Sequence, residues 1–481
     1  MKIKSVKFNF LMNLILTVSN VLFPLITFPY VARVLQPINN GKIAFCTSVI
    51  SYFSMIALIG IPNYGIREVA KVRDDRDKLT KLVYELLLIS LVMTIISITI
   101  LVISIFIIPK FYQEKELFFI NAIGILLNTI GVNWLYSGLE QYQYITIRSI
   151  IFKVISIIAM FLFVKEPSDY ILYGTITVLA SGGSNIFNFF NMRKFINFRV
   201  KEKLEIKKHM KSILIFFATV LATSIYVNLD TVMIGFINGN VEVGLYSTSL
   251  KIRSLVLSVI TALGTVLMPR LSYYIKNNQK ELFKETIVKC INFISLISFS
   301  ICIFIVIYAK ECILFIAGND YLLAVSSLRI VIFTIVFVGF SNITGIQILT
   351  PLGLERKLFI SIVYGAIIDF ILNMFFIPLY KSNGAALATL IAEIIVLAVQ
   401  CYYLKEFIRE IYKKLTILKY VVFTLIASVI VILFKNYFTF NVFTSLLIGA
   451  FIYFGIGILL LIITKDPFIK MGFEFIKKKG N

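Results

Sequence analysis

Residues Asn9 to Pro37, NFLMNLILTVSNVLFPLITFPYVARVLQP, open the chain with about 24 mostly apolar residues ending at Arg33. That run spans a hydrocarbon layer ~30 Å thick at ~1.5 Å per residue. It is not uniformly apolar. Asn13, Thr17, Asn20 and Pro24 recur at i, i+4, i+7 and i+11 and therefore share one helical face. Pro24 and Pro29 free backbone carbonyls and permit a bend. A second stretch repeats the face with Thr219, Thr223, Tyr226 and Asp230, displaced by 206 residues. Each stretch then reaches a turn signal, Gln36-Pro37-Ile38-Asn39-Asn40-Gly41 and Ile237-Asn238-Gly239-Asn240. A polar face on a spanning helix serves either as a hydrogen-bonded seam between helices or as the wall of a water-filled path. The pattern alone leaves both open.

Continued along the chain, the same reading predicts fourteen spans: 9–32, 41–62, 83–108, 117–139, 145–164, 170–191, 212–236, 245–268, 286–309, 325–349, 358–377, 383–404, 417–434 and 441–464. With both termini inside, the cytoplasmic segments carry 34 of the 47 Lys and Arg residues and the outer segments 8, as the positive-inside rule expects. The remaining five, Lys153, Lys251, Arg253, Lys289 and Arg329, fall inside helices.

Composition agrees. Of 481 residues, 59% are hydrophobic and 15% charged, and mean hydropathy is +0.93. A soluble domain would be about a quarter charged. The fold class is an all-α polytopic membrane protein, and the alternating ~10-residue segments of an outer-membrane barrel do not occur. The net charge of +22 sits between apolar runs, alternating by loop, which argues against nucleic acid as a partner. The five cysteines, Cys46, Cys290, Cys302, Cys312 and Cys401, lack CxxC spacing and read as apolar packing residues, not metal ligands. His209, the single histidine, lies in a basic segment read as a loop, so no histidine-dependent triad is expected. Gly182 and Gly183 sit within an apolar run and read as close helix packing.

The repeat extends past the first helix of each half. Gly138-Leu139-Glu140-Gln141 matches Gly353-Leu354-Glu355-Arg356, and Phe190-Asn191-Met192-Arg193-Lys194 matches Tyr402-Tyr403-Leu404-Lys405-Glu406. Offsets of 206, 215 and 212 agree within loop-length changes. The expected organisation is an N-terminal six-helix bundle (1–195), a basic cytoplasmic linker (196–211), a second six-helix bundle (212–408), and two additional helices with a basic tail (409–481). Six helices per half gives both halves the same orientation.

LFPLITFPYVARVL (22–35), GIPNYGIREVAKVRDD (60–75), LDTVMIGFI (229–237), VGLYS (243–247) and LMPRLS (267–272) resemble the Wzx-type oligosaccharide flippases, within the superfamily of the MATE exporters and the peptidoglycan-precursor flippases. The resemblance covers nearly the whole chain. It implies two six-helix bundles around a central cavity, alternating access, and undecaprenyl-pyrophosphate-linked glycan as cargo, moved across the bacterial inner membrane for surface polysaccharide assembly. It also implies membrane lipid, a polysaccharide polymerase and chain-length machinery as partners. A pyrophosphate-linked sugar cannot shed its water in hydrocarbon, so such a cargo needs a polar, preferably cationic cavity.

The candidate cavity cations are Arg33, Lys153, Arg253, Arg67 and Arg270, and the candidate polar cavity face is Asn13, Asn20, Thr219, Thr223 and Tyr226. Arg33 and Lys153 could instead snorkel, and Arg67 and Arg270 follow prolines at helix ends where simple anchoring suffices. Asp369, Glu393 and Asp230 are candidates for coupling to H+ or Na+. Their alternative is a fixed ion pair with Arg253, Lys251 or Arg329. The paired aromatics Phe111-Tyr112, Phe118-Phe119, Tyr273-Tyr274 and Tyr402-Tyr403 read as an interfacial belt, with sugar stacking reserved for Tyr30 and Trp134. No cofactor, metal or enzymatic activity is expected. A MATE-like ion-coupled exporter of small molecules would need acids to dominate the cavity. A flippase for another lipid-linked cell-wall precursor is a nearer alternative. A glycosyl-polymer ligase or polymerase would need a large outer loop, and every outer loop here is about 16 residues or shorter.

Overall fold

The opening apolar run folds as helix α1 (Val6–Leu58), whose N-cap Ser5 accepts a hydrogen bond from the Phe8 N–H. Pro24, Pro29 and Pro37 lie within it, yet only Gln36 is non-helical (φ 61°, ψ 172°), at the turn signal read from the sequence. The computed structural model describes residues 5–197, 199–200 and 202–469. The basic tail beyond 469 lies outside the described residues. The first part of the chain continues with α2 (Ile61–Val72), α3 (Arg76–Ile107), α4 (Pro109–Gln113), α5 (Lys115–Ile130), α6 (Asn133–Gly138), α7 (Tyr142–Phe163) and α8 (Tyr170–Val178). A π-helix (Leu179–Gly183), α9 (Asn185–Asn191) and α10 (Lys207–Asn238) follow. Then come α11 (Asn240–Lys276), α12 (Lys280–Ile307), α13 (Ala309–Ile316), α14 (Ala324–Val331), α15 (Thr334–Asn342) and a second π-helix (Ile343–Leu349). The chain closes with α16 (Glu355–Tyr403), α17 (Lys405–Ile411), α18 (Ile417–Tyr437) and α19 (Val442–Ile463).

The all-α polytopic expectation holds. Among the described residues, ten helices are long and apolar enough to cross a membrane, or eleven counting α10, which bends by 41°. Ten or eleven such helices do not by themselves confirm a count of fourteen. α1 and α16 are each broken at one residue, Gln36 and Lys381, and the expected span 170–191 is divided among α8, the π-helix and α9. Large apolar side chains stand exposed along the rods, among them Phe106, Ile107 and Phe451, as a hydrocarbon surround requires.

Packing divides the chain after Gly244 into two units. In the first, α1 packs on α3, α5, α7 and α10, and α10, which begins within the 196–211 segment expected as a linker, also meets α2. Its core gathers Ile61, Tyr64, Val83, Leu86, Trp134 and Tyr136. Trp134 is pressed against Gly65, where a Cβ would fall 2.7 Å from the indole, so this ring is core and not a sugar platform. The belt reading also needs correction at Phe111 and Phe118. Both are buried against Phe45 in an aromatic cluster that the exposed Phe236 completes, while Tyr112 and Phe119 are exposed. Gly182 and Gly183 sit in the π-helix with ideal Cβ positions 3.3 Å from Leu127 and 3.0 Å from Phe152, the close packing the sequence suggested.

In the second unit, α12 packs on α15 and α18, α16 on α14 and α15, and α19 on α13 and α18. Two ion pairs fasten the last helices: Lys419–Asp466 at 2.5 Å and Lys435–Glu311 at 2.9 Å. Cys46, Cys290 and Cys302 are buried thiols, in keeping with a packing role.

Candidate functional site

The first unit joins one predicted cation to the predicted polar face. Lys153, midway along α7, donates to Ser19 Oγ at 2.9 Å and to Asn20 Oδ1 across the α1–α7 contact. Asn20 is the member of the i, i+4, i+7 stripe that carries this bond. Thr17 and Asn13, one and two turns earlier, are exposed, as are Thr219 and Thr223 on α10. Thr17 and Thr223 return their hydroxyl protons to carbonyls of their own helices. Tyr226 is half-buried and Asp230 buried, so the α10 stripe passes from an exposed to a buried side along its length. Among the described residues no carboxylate ion-pairs with Lys153. Its charge is solvated by neutral oxygens alone, an arrangement able to receive an anion.

Arg33 is exposed and donates to the Pro29 carbonyl at 2.8 Å, one turn back on its own helix. Arg67 is half-exposed, paired with Glu68 at 2.8 Å, and its guanidinium lies 5.3 Å from the Tyr64 and Phe216 ring centres. Arg270 is exposed and donates to the Tyr274 hydroxyl at 2.6 Å. Local groups thus engage all three, with Arg67 midway along α2 and Arg270 inside α11.

Arg253 in the second unit is different. Its Nη2 lies 3.3 Å from Glu393 Oε1, and its Nε donates to Thr334 Oγ1 at 2.5 Å. The two charged side chains are 16% and 8% exposed. The face that Arg253 shares with Tyr246 and Ser249 is hydrogen-bonded throughout: Tyr246 to Thr389 at 3.0 Å and Ser249 to Ser327 at 2.9 Å. On α16 the Glu393 face continues to Gln400, which accepts from Thr344 at 2.5 Å and donates to Ser361 at 3.1 Å. The structure thus joins Arg253 with Glu393. Asp369 and Asn373, one turn apart on α16, are both buried. Tyr30 donates to the Val164 carbonyl at 2.7 Å and lies 4.7 Å from the Phe161 ring, which leaves it partly buried.

His209 requires a correction. It sits in the first turn of α10 and is buried, not in a loop. Nε2 lies 2.8 Å from Glu85 Oε2 on α3, and Nδ1 lies 2.6 Å from the Tyr64 hydroxyl on α2. With the imidazole neutral, Nε2–H donates to the carboxylate and Nδ1 accepts from tyrosine. The Glu205 backbone N–H also donates to Glu85, at 2.6 Å. The sequence hid this network because His209 stands in a basic run, while its partner Glu85 stands alone in an apolar one. That lone acid was the available signal. Replacing His209 with alanine is expected to cost about 2 kcal/mol, because Glu85 and Tyr64 lose a shared buried partner. Thermal unfolding in detergent measures it, and an unchanged Tm would show the network to be dispensable.

A family model described as "Polysaccharide biosynthesis protein" matches residues 6–275, and one described as "MatE" matches 216–375. Two curated relatives, each described as "Putative O-antigen transporter", are 23% identical. The one from Escherichia coli (strain K12) aligns over 81% of this chain and 94% of its own length, and the one from Shigella dysenteriae over 81% and 98%. Among solved structures, "Lipid II flippase MurJ, inward closed conformation" superposes with a TM-score of 0.74 at 17% identity, covering 95% of this chain and 99% of that one. An inward-facing multidrug resistance MATE family transporter gives 0.58 at 12% identity, covering 82% and 99%. At these identities the two structures are evidence of a common fold.

Proposed function

The chain belongs to the polysaccharide biosynthesis protein family, and from that premise we propose that it flips undecaprenyl-pyrophosphate-linked oligosaccharide repeat units across the bacterial cytoplasmic membrane by alternating access. The two relatives described as O-antigen transporters, and the fold held in common with a lipid II flippase, support cargo of the lipid-linked glycan class. The observation that carries the reading is Lys153, a cation within a spanning helix held by Ser19 and Asn20 and by no acid among the described residues. Holding a charge there is costly unless a counter-charge arrives, and a pyrophosphate supplies one. Arg33, Arg67 and Arg270 are exposed cations that would draw the anion inward. Asp369, buried within α16, is the acid we assign to coupling by H+ or Na+. The flipped unit would pass to a polymerase and chain-length machinery.

The test is reconstitution. Purified protein in liposomes containing a fluorescent undecaprenyl-pyrophosphate oligosaccharide should expose the glycan to an added glycosidase on the far side. Lys153→Gln should slow this at least ~10-fold while Lys153→Arg retains most of it, since a charge–phosphate contact is worth about 1.5–3 kcal/mol. Efflux of a cationic dye with no glycan translocation would replace the reading with MATE-like export. Translocation of a peptidoglycan precursor alone would move it to that cargo. Orientation is checked separately. Reporter fusions after Lys78 and Lys207 should give cytoplasmic signals and fusions at Asn238 and Ser382 external ones. A cytoplasmic signal at Asn238 would break the scheme.

A further inference from the structure

A pocket of about 520 Å³ in the first unit lies where α1 begins and α6 turns into α7, and Lys153, Arg33 and Arg67 are not among the residues that line it. Asn9, Glu140, Gln143, Tyr144 and Arg148 give it a polar floor, and Ile147, Ile151 and Phe187 give it an apolar rim. The rim side chains are 49%, 50% and 56% exposed, on the surface that a membrane protein turns to lipid. Arg148 is 9% exposed. It donates to the Ser184 carbonyl at 3.1 Å, just past the π-helix, and to Asn133 Oδ1 at 3.0 Å. A buried amide network fixes Asn133 in turn. Asn188 donates to its Oδ1 at 2.9 Å, and Asn133 donates to Asn185 at 3.1 Å. Yet Arg148 Nε, fully buried, has no hydrogen-bond partner, and among the described residues no carboxylate ion-pairs with this guanidinium. The acid in the pocket, Glu140, is engaged by Arg73 at 2.6 Å and Asn9 at 3.3 Å.

A rigidly held, buried guanidinium with an unused donor, faced by the Tyr144 ring at 5.6 Å but by no carboxylate among the described residues, is an incomplete site beside an apolar rim. Native structures rarely leave such a donor unmet without a ligand or water to meet it. An oxyanion completes it, because the planar fork of arginine matches phosphate. The rim excludes a purely hydrated ion and suits a hydrocarbon chain. We propose that this pocket binds the anionic phosphate head of a membrane lipid, with Arg148 on the phosphate and the chain laid over Ile147, Ile151 and Phe187. Basic pockets between spanning helices take acidic lipid heads by the same physics. The site goes beyond the cargo path assigned above and does not depend on which glycan is carried.

The test uses full-length protein purified in an uncharged detergent, titrated with phosphatidylglycerol, an undecaprenyl monophosphate, phosphatidylcholine or inorganic phosphate. Native mass spectrometry counts bound lipid and thermal unfolding reports protection. An anionic phospholipid or the polyprenyl phosphate should bind and protect, and whichever does so at the lower concentration names the source. Arg148→Gln should weaken that binding at least ~10-fold. Because Arg148 also holds Asn133 and Ser184, that variant risks misfolding. Ile151→Trp, which fills the rim from the exposed side, should likewise weaken binding ~10-fold while keeping the unliganded Tm. Three results overturn the proposal: protection by phosphatidylcholine equal to that of the anionic lipids, equal protection by inorganic phosphate, or unchanged lipid binding in a folded Ile151→Trp.

Discussion

Glu393→Ala should unfold the second unit at markedly lower temperature, at a cost of about 3–5 kcal/mol, and should abolish export. The carboxylate lies 3.3 Å from Arg253 Nη2, with both side chains largely withdrawn from the surface. Removing it leaves a guanidinium with Thr334 as its polar support and no counter-charge in this pair. Thr334 already donates to the Val331 carbonyl at 2.6 Å, so its hydroxyl can accept from Arg253 but cannot neutralise it. Arg253→Ala should be as damaging, since it strands Glu393. Arg253→Lys should be milder, and Arg253→Glu, which sets two acids together, the most damaging. The reading is separable from direct cargo binding. Glu393→Gln removes the counter-charge but keeps the shape. If Arg253 held pyrophosphate, this variant would bind cargo at least as well as the native protein. If Arg253 is structural, Glu393→Gln should lose stability and transport together, and the exchange Arg253→Glu with Glu393→Arg should recover stability in part. Full transport by Glu393→Gln would return Arg253 to the cargo path.

The sequence made the depth of these charges legible but not their partners. Asp369, Glu393 and Arg253 each stand inside a long apolar run, which marks them as expensive. That Arg253 meets Glu393 and not Asp369 is decided by how α11 and α16 pack, and no helical period carries that information. The same limit explains Arg148. Arg148 stands seven residues into α7. Its burial follows from the π-helix and from Asn133, Asn185 and Asn188, which lie up to 55 residues apart in sequence from one another and meet only in the fold. Asparagines recurring inside apolar runs were the available signal. By contrast, turns written in local chemistry were readable. Gln36-Pro37 and Gly239 break the helices where the sequence placed them, because proline and positive-φ glycine act within a residue or two. The polar faces on α1 and α10 were likewise visible, and one of their members, Asn20, does hold a candidate cation.

The repeat also sets up the second large effect, at Gly41 and Gly244. Both glycines sit a few residues past a helix break, one after Gln36 and the other after Gly239. There the backbones of the first unit touch directly. A Cβ on Gly41 would lie 1.7 Å from the Asn240 carbonyl oxygen and 2.9 Å from the Gly244 nitrogen. A Cβ on Gly244 would lie 1.9 Å from the Pro37 carbonyl oxygen. The contact is reciprocal, Pro37 to Gly244 and Asn240 to Gly41, as expected when repeated segments meet face to face. Nothing soft stands in the way: the obstructing atoms are main chain, so no rotamer change relieves the clash and one helix start must shift bodily. Gly41→Ala and Gly244→Ala should each cost about 3 kcal/mol or more, above the common range for an added methyl because backbone opposes it. Transport should fall with folded yield. Gly239 is the control. Its φ of +88° strains any side chain, but its ideal Cβ meets nothing within 4 Å. Gly239→Ala should therefore cost only about 1–2 kcal/mol, the left-handed backbone penalty, and Gly239→Asn less. Folded yield and Tm in detergent rank the four variants. If Gly41→Ala proved no worse than Gly239→Ala, the two helix starts would not be in backbone contact, and the reciprocal packing inferred from the repeat would be wrong.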